Sequence, residues 1–253
     1  MIDLHSHLLP GVDDGSRSVE QSLKVLELMA RHGVTDVCLT PHLLAGRSEA
    51  GIPTAHDGAF EELQAQAPAV PRLHRGAEVM LDRPITRTVA MGRKITLGGS
   101  RYMLVEFPRL VPYDTVSNAL AQVSELGVIP ILAHPERYSC CSPEAVRHWK
   151  AIGARMQVDA TTLLTSQARG QRARQLVSDG LADILAGDNH GDDRTIATGA
   201  RFLNAQDGAE QVELLVVVNP AAILADQPVT PVPPLRIRQS WMRRIKEFLE
   251  GGR

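Results

Sequence analysis

The sequence predicts an α/β fold in which a parallel sheet covered by helices closes into a barrel, and three observations carry that prediction. Strand-like apolar runs alternate with helix-like runs along the chain, joined by short connections, as in successive βα units. The apolar runs end repeatedly in metal-binding side chains: His5 and His7, His42, Glu78, Glu106, His134, and Asp188 with His190. The first and last of these groups stand far apart in sequence, and a (β/α) barrel gathers all its strand C-termini at one mouth.

Residues 2–7 read as the first strand, in which His5 and His7 are two apart and face the same side. Ser18 to Arg31 is an amphipathic helix with Val19, Leu23, Leu26 and Met29 or Ala30 on one face, stopped by Gly33. Residues 35–40 form the second strand, leading to Thr40-Pro41-His42. Residues 58–67 are helical, and 72–78 is the third strand, ending at Glu78. A short helix over 85–92 precedes the fourth strand, 101–106, which ends at Glu106. Thr115 to Leu126 is a helix closed by Gly127, and the fifth strand, 128–133, delivers His134. Ser142-Pro143-Glu144 opens the next helix, with Ser as cap and Pro at the first helical position. Residues 155–159 are the sixth strand. Ala168 to Ser178 is helical, ended by Gly180, and 182–187 is the seventh strand, followed by Asp188 and His190 on one side.

The run 212–218, Val-Glu-Leu-Leu-Val-Val-Val, has the composition of a strand, but its place before Asn219-Pro220-Ala221 also allows a helix stacked on the barrel. Residues 227–234 are proline-rich and read as a linker. One domain over 1–226 and a linker with a basic tail over 227–253 follow. In the tail Trp241, Ile245, Phe248 and Leu249 recur at helical spacing among arginines and a lysine.

A chain of 253 residues suffices for one large domain with a full core. Hydrophobic residues at 43% and charged ones at 22% place it among ordinary globular proteins. A net charge of −2 argues against a general nucleic-acid binder. No apolar run approaches the roughly 20 residues of a bilayer span, and no basic-then-apolar N-terminus suggests secretion, so a cytoplasmic protein is expected. Cys38, Cys140 and Cys141 make no zinc or disulfide framework. His32, His56, His74 and His148 lack the strand-end context and read as surface or core histidines. Asp13 reads as shaping the turn before Gly15.

The run His5-Ser6-His7-Leu8-Leu9-Pro10-Gly11-Val12-Asp13-Asp14-Gly15 resembles the opening motif of the PHP (polymerase and histidinol phosphatase) superfamily, and more narrowly its CpsB/YwqE-type bacterial protein-tyrosine phosphatases. Thr40-Pro41-His42, Gly76-Ala77-Glu78, Leu104-Val105-Glu106-Phe107-Pro108, Ala133-His134-Pro135-Glu136-Arg137-Tyr138 and Asp188-Asn189-His190 continue the resemblance in order, over about residues 1–225. It implies a distorted (β/α)7 barrel holding up to three divalent ions, most often manganese, with iron or zinc as alternatives. It implies His5, His7, Glu78 and Asp188 around one ion, and Glu78 bridging to a second with Glu106 and His134. His42 and His190 would hold the third, with Asp14 as a further ligand or as the general acid. Arg137 and Arg194 match arginines that contact substrate phosphate, although Gly191-Asp192-Asp193 departs from the family pattern before Arg194. Glu136 reads as structural.

His and carboxylate ligands without thiolate suit manganese, iron or zinc rather than a closed structural zinc site. Such ions lower the pKa of bound water toward neutrality and clamp phosphoryl oxygens, while arginine forks bind the rest. The resemblance implies hydrolysis of phosphotyrosine, with the tyrosine-rich tail of a bacterial kinase controlling capsule or exopolysaccharide synthesis as partner. Small-molecule phosphomonoesterase action, as on histidinol phosphate, and phosphodiesterase action remain alternatives for the same site, as does a scaffold that binds phosphotyrosine without turnover. Cys141 to Arg147 has the C-x5-R spacing of cysteine-dependent phosphatases, but Pro143 lacks an N–H and Glu144 repels phosphate. For the tail two readings stand: a helix docked on the barrel, or weak peripheral contact with anionic membrane.

Overall fold

The computed structural model describes residues 1–49 and 52–238; the tail with Trp241, Ile245, Phe248 and Leu249 lies outside the described residues. The strands are β1 (Ile2–Asp3), β2 (Asp36–Leu39), β3 (His42–Leu44), β4 (Arg72–Arg75), β5 (Glu78–Met80), β6 (Tyr102–Glu106), β7 (Ile129–Ala133), β8 (Arg155–Asp159) and β9 (Ile184–Ala186). All pairings are parallel. They form two runs, β1-β2-β4 and β3-β5-β6-β7-β8-β9. Since β2 and β3 are successive halves of one strand, as are β4 and β5, the runs are the lower and upper parts of one wall.

The ring returns to its start. Asp188 N–H donates to His5 O at 3.1 Å and His7 N–H to Asn189 O at 2.7 Å, joining the chain beyond β9 to the chain beyond β1. Seven strand units in sequence order therefore surround a common centre, as in the expected distorted barrel.

Three strands differ from their expected extents, each for a local reason. The first keeps only Ile2–Asp3 as ladder, because side chains replace backbone partners beyond it: His5 N–H donates to Asp3 Oδ1 and Ser6 N–H to Thr40 Oγ1. The second resumes as β3 after Pro41, which has no N–H to give. The third, expected over 72–78, splits at Gly76-Ala77. A Cβ on Gly76 would stand 2.9 Å from Cys38 Sγ and 3.0 Å from Leu97 Cδ2, so the wall closes on glycine there.

Alternation along the strands sorts two cores. Met103, Val105, Leu132, Val158 and Leu185 point outward into the main cluster beneath the helices, where Val19–Arg31 buries Val25, Leu26 and Met29. Leu4, Cys38, Tyr102, Leu104, Ile131 and Ile184 point inward and form a second cluster. The same parity carries the inward face of β6 from Tyr102 and Leu104 to Glu106, so polar groups succeed apolar ones as the strands reach the mouth.

The open reading of 212–218 resolves as helix: Ala209–Glu213 runs through a wide turn, Leu214–Val218, into Asn219–Leu224. Leu215 and Val216 are buried and Ile223 joins the inner cluster, so the apolar run packs on several sides without being a strand. The proline-rich segment does not stand away as a linker. Thr230 N–H donates to Asn219 Oδ1, Gln211 Nε2 to Pro233 O and Pro234 O, and Leu235 N–H to Ser178 O, while Val232 and Leu235 are buried. Prolines cannot donate, but their carbonyls accept, and the domain supplies the donors. No helix among the described residues is long and apolar enough to cross a membrane.

Candidate metal centre

The structure brings His5, His7, Asp14, His42, Glu78, Glu106, His134, Asp188 and His190 into overlapping groups at the strand C-termini. His5 and His7, on the chain beyond β1, turn their Nε2 atoms toward each other at 3.2 Å. Glu78 Oε2 lies 3.3 Å from both Nε2 atoms and Asp188 Oδ1 3.4 Å from both. His134, at φ +34 after β7, sets Nε2 2.9 Å from the other Glu78 oxygen. His42 Nδ1 lies 3.0 Å from Glu78 Oε2 and 3.1 Å from Glu106 Oε1. Asp14 Oδ1, on an exposed side chain, reaches His42 Nε2 at 3.3 Å and His190 Nε2 at 3.6 Å. Glu106 thus approaches His42 rather than His134, and His7 also belongs with Asp14, His42 and His190.

The outer nitrogens fix what the inner ones offer. His5 Nδ1 lies 3.0 Å from Gln157 Oε1, which also accepts from His134 N–H. A backbone N–H can only donate, so that Gln157 atom is the oxygen and a neutral His5 carries its proton on Nδ1. His7 Nδ1 lies 2.8 Å from Asp13 Oδ2, an acceptor, so the same holds for His7. Two lone pairs then face each other amid carboxylates, an arrangement that needs a cation among them. His42 Nδ1 and Glu78 Oε2 sit close without the alignment of a hydrogen bond, and both are buried without a partner. These are the marks of a set built around divalent ions, and the residues present fit them.

The electrostatics agree. Burial alone would lower His5, but the Glu78 and Asp188 carboxylates outweigh it and raise its pKa. Burial opposes His7 too, yet the hydrogen bond to Asp13 and the nearby Asp188 and Glu78 carboxylates hold it well above the usual value. His42, against burial, is pushed up to about 10 by Glu106 and Glu78. Burial would raise Asp188 and Glu78, but the histidines around them, with Arg137 for Asp188, keep both well below the carboxylate range. The carboxylates thus favour positive charge among the His5, His7 and His42 rings, the charge a divalent ion would supply.

Arg137 lies on the turn after β7. Its Nη2 donates to Asp159 Oδ2 at 2.6 Å and to Asp188 Oδ2, and its Nε is buried without a partner. Arg194 instead pairs with Asp192, Nε to Oδ2 at 2.7 Å, and its carbonyl is held by Asn189 Nδ2. Glu136 is fully buried and accepts from Asp159 N–H; burial pushes its pKa up to about 8.

Sequence reading passed over Asp13 as a partner of His7, and over Gln157 and Asp159 entirely. Asp13 does shape the turn, accepting from Gly15 N–H, and it also accepts from His42 N–H. Gln157 and Asp159 are two apart on β8, the same signal as His5 and His7, but an amide is no usual ligand type. Cys141 is buried, its thiol pushed up to about 12 by that burial, and Arg147 pairs with Asp179. Ser142 caps the helix Pro143–Ile152, so the C-x5-R match is a helix start.

The family model for capsular polysaccharide synthesis, CpsB/CapC, matches residues 1–225. The tyrosine-protein phosphatase CpsB of Streptococcus agalactiae is 26% identical over 242 residues, 88% of this chain and 98% of that one. The tyrosine-protein phosphatase YwqE of Bacillus subtilis is 26% identical over 254 residues, 94% and 97%. The structure described for YwqE from Bacillus subtilis and CpsB from Streptococcus pneumoniae, metal-dependent tyrosine phosphatases, matches with a TM-score of 0.77 at 25% identity, covering 94% of this chain and all of that one.

Proposed function

The chain belongs to the CpsB/CapC capsular polysaccharide synthesis family, and from that premise we propose that it is a metal-dependent phosphatase that hydrolyses phosphotyrosine in proteins. The observation that carries this is the pair of imidazole Nε2 atoms 3.2 Å apart, ringed by Glu78 and Asp188, with Arg137 bonded to the far oxygen of Asp188.

His5, His7 and Asp188, with Glu78 beside them, would hold one ion; Glu78 with His134, and Glu78 with His42 and Glu106, would serve a second; His42, His190, His7 and Asp14 would hold a third. Manganese is the ion we assign, from the resemblance, and iron or zinc would suit the same imidazole and carboxylate ligands. When bound, the ions supply Lewis acidity and an activated water for attack on phosphorus. Gln157 and Asp13 keep His5 and His7 in the tautomers that present Nε2. Arg137, anchored through Nη2 on Asp159 and Asp188, holds a positive charge beside the mouth that offsets phosphoryl charge and leaves further N–H groups to donate. Arg194 joins only by leaving Asp192, an exposed pair worth about 0.2–1 kcal/mol. Asp14, at the open rim, either completes the third ion's shell or protonates the leaving phenolate. With an unperturbed pKa near 10 that leaving group needs little help.

The partner we assign is the phosphotyrosine-bearing tail of a bacterial tyrosine kinase, met in the cytoplasm. A panel of phosphotyrosine peptide, histidinol phosphate and bis-nitrophenyl phosphate, each with manganese, tests the reading. The peptide is expected to be turned over with the highest kcat/KM. Preference for histidinol phosphate or the diester would overturn it.

A further inference from the structure

The residues around Arg137 reach beyond the phosphoryl group. β6, β7 and β8 are successive neighbours in the sheet, and the loops after them present Leu110, Arg137 and Leu164 in that order. Leu110 is 84% exposed and Leu164 50% exposed. A single exposed leucine means little. These two differ because each is held out on a braced turn.

The loop Pro108–Leu110 stands between buried Phe107 and Val111. Val111 N–H donates to Pro108 O and Ser139 N–H to Arg109 O, both at 2.9 Å, which ties the loop to the turn of Arg137. Leu164 ends the turn Thr162–Leu164, whose neighbours Thr162 and Leu163 are buried. Thr161 and Thr162 donate their N–H groups to Asp159 Oδ1, and the other Asp159 oxygen holds Arg137. Arg174 Nη1 braces the same turn through Leu163 O and Thr165 O.

One leucine is thus stitched to each side of the phosphate-binding arginine. Strands β6 and β8 lie two strand spacings apart, roughly 10 Å. That distance is about three residues of extended chain. A polypeptide that brings its phosphotyrosine to Arg137 along this part of the rim would carry the residues next to the tyrosine toward Leu110 on one side and Leu164 on the other.

We propose that Leu110 and Leu164 are a peptide-recognition surface for apolar side chains flanking the phosphotyrosine, so that the site selects protein segments over small phosphate esters. This rests on the phosphotyrosine reading above.

The test compares native protein with Leu110→Ser, Leu164→Ser and the double variant. Substrates are p-nitrophenyl phosphate, a phosphotyrosine peptide with Leu or Val beside the tyrosine, and the same peptide with Ser and Gly there. Partial burial of one leucine corresponds to roughly a fivefold to tenfold effect. Each single variant is expected to lose that much kcat/KM on the apolar peptide, mainly through KM, and to keep native values on p-nitrophenyl phosphate. The native protein is expected to prefer the apolar peptide, and the double variant to lose the preference. Equal losses on all substrates, or no native preference between the peptides, would overturn this proposal alone. A drop in oligomeric size with unchanged peptide kinetics would also overturn it, making the leucines a contact between copies. Failure of the native protein to hydrolyse either peptide while it turns over histidinol phosphate would overturn the phosphotyrosine reading and this proposal with it.

Discussion

At His7 the two ring nitrogens have different tasks. Nδ1 rests on Asp13 at 2.8 Å, and Nε2 faces His5, Glu78 and Asp188. Asp13→Asn keeps an oxygen for Gly15 N–H but removes the charge behind His7. Manganese affinity, measured by titration calorimetry, is expected to fall about 10–100-fold with the fold intact. The raised pKa values of His5, His7 and His42 fix a sign as well. A group whose pKa is raised in the folded protein holds its proton more tightly and must release it to bind metal. Apparent metal affinity is therefore expected to rise with pH, for the His42 group up to about 10. Calorimetry in buffers of different ionisation enthalpy reads the released protons directly. Arg137→Lys keeps the positive charge beside Asp159 and Asp188 but loses the fork. Bound metal is expected to stay at the native level while kcat/KM drops at least tenfold. The ligand types were legible because imidazoles and carboxylates recur at strand ends. Gln157 was not, since its role depends on which histidine turns onto its oxygen, and that is set by strand neighbours far apart in sequence.

Among the elements, strand order and helix order were legible from alternation and caps, while strand ends were not. Ser142 shows why caps can be read locally: its hydroxyl accepts from Ala145 N–H, three residues on. Gly76 shows the opposite case, because the break there answers to Cys38 and Leu97 from other parts of the chain. The run 212–218 had β-branched composition but is helical, since a continuous apolar run looks alike in a buried helix and a buried strand. The helix that begins at Ser142 also decides the role of its neighbour. With the Cys141 thiol buried and pushed up to about 12, Cys141→Ser is expected to retain most phosphatase activity in a steady-state assay, within about twofold.

For the whole molecule, closure brings the two ends of the site together. Asp3 accepts from Gly187 N–H at 3.0 Å, and His5 O accepts from Asp188 N–H, so the first and last strand units are bonded next to the candidate ligands they carry. The barrel mouth was foreseeable from that requirement alone. The packed strap over 227–238 was not, because proline-rich composition reads as linker and only the donors on Asn219 and Gln211 reveal its seat. The central claim is that ions held at this mouth make the protein a phosphotyrosine phosphatase. Its most direct test is turnover of a phosphotyrosine peptide by protein exhaustively stripped with chelator, before and after manganese is returned, with metal content measured in both states. Activity that vanishes with the metal and returns with it is the predicted result; full activity in the stripped, metal-free protein would contradict the account.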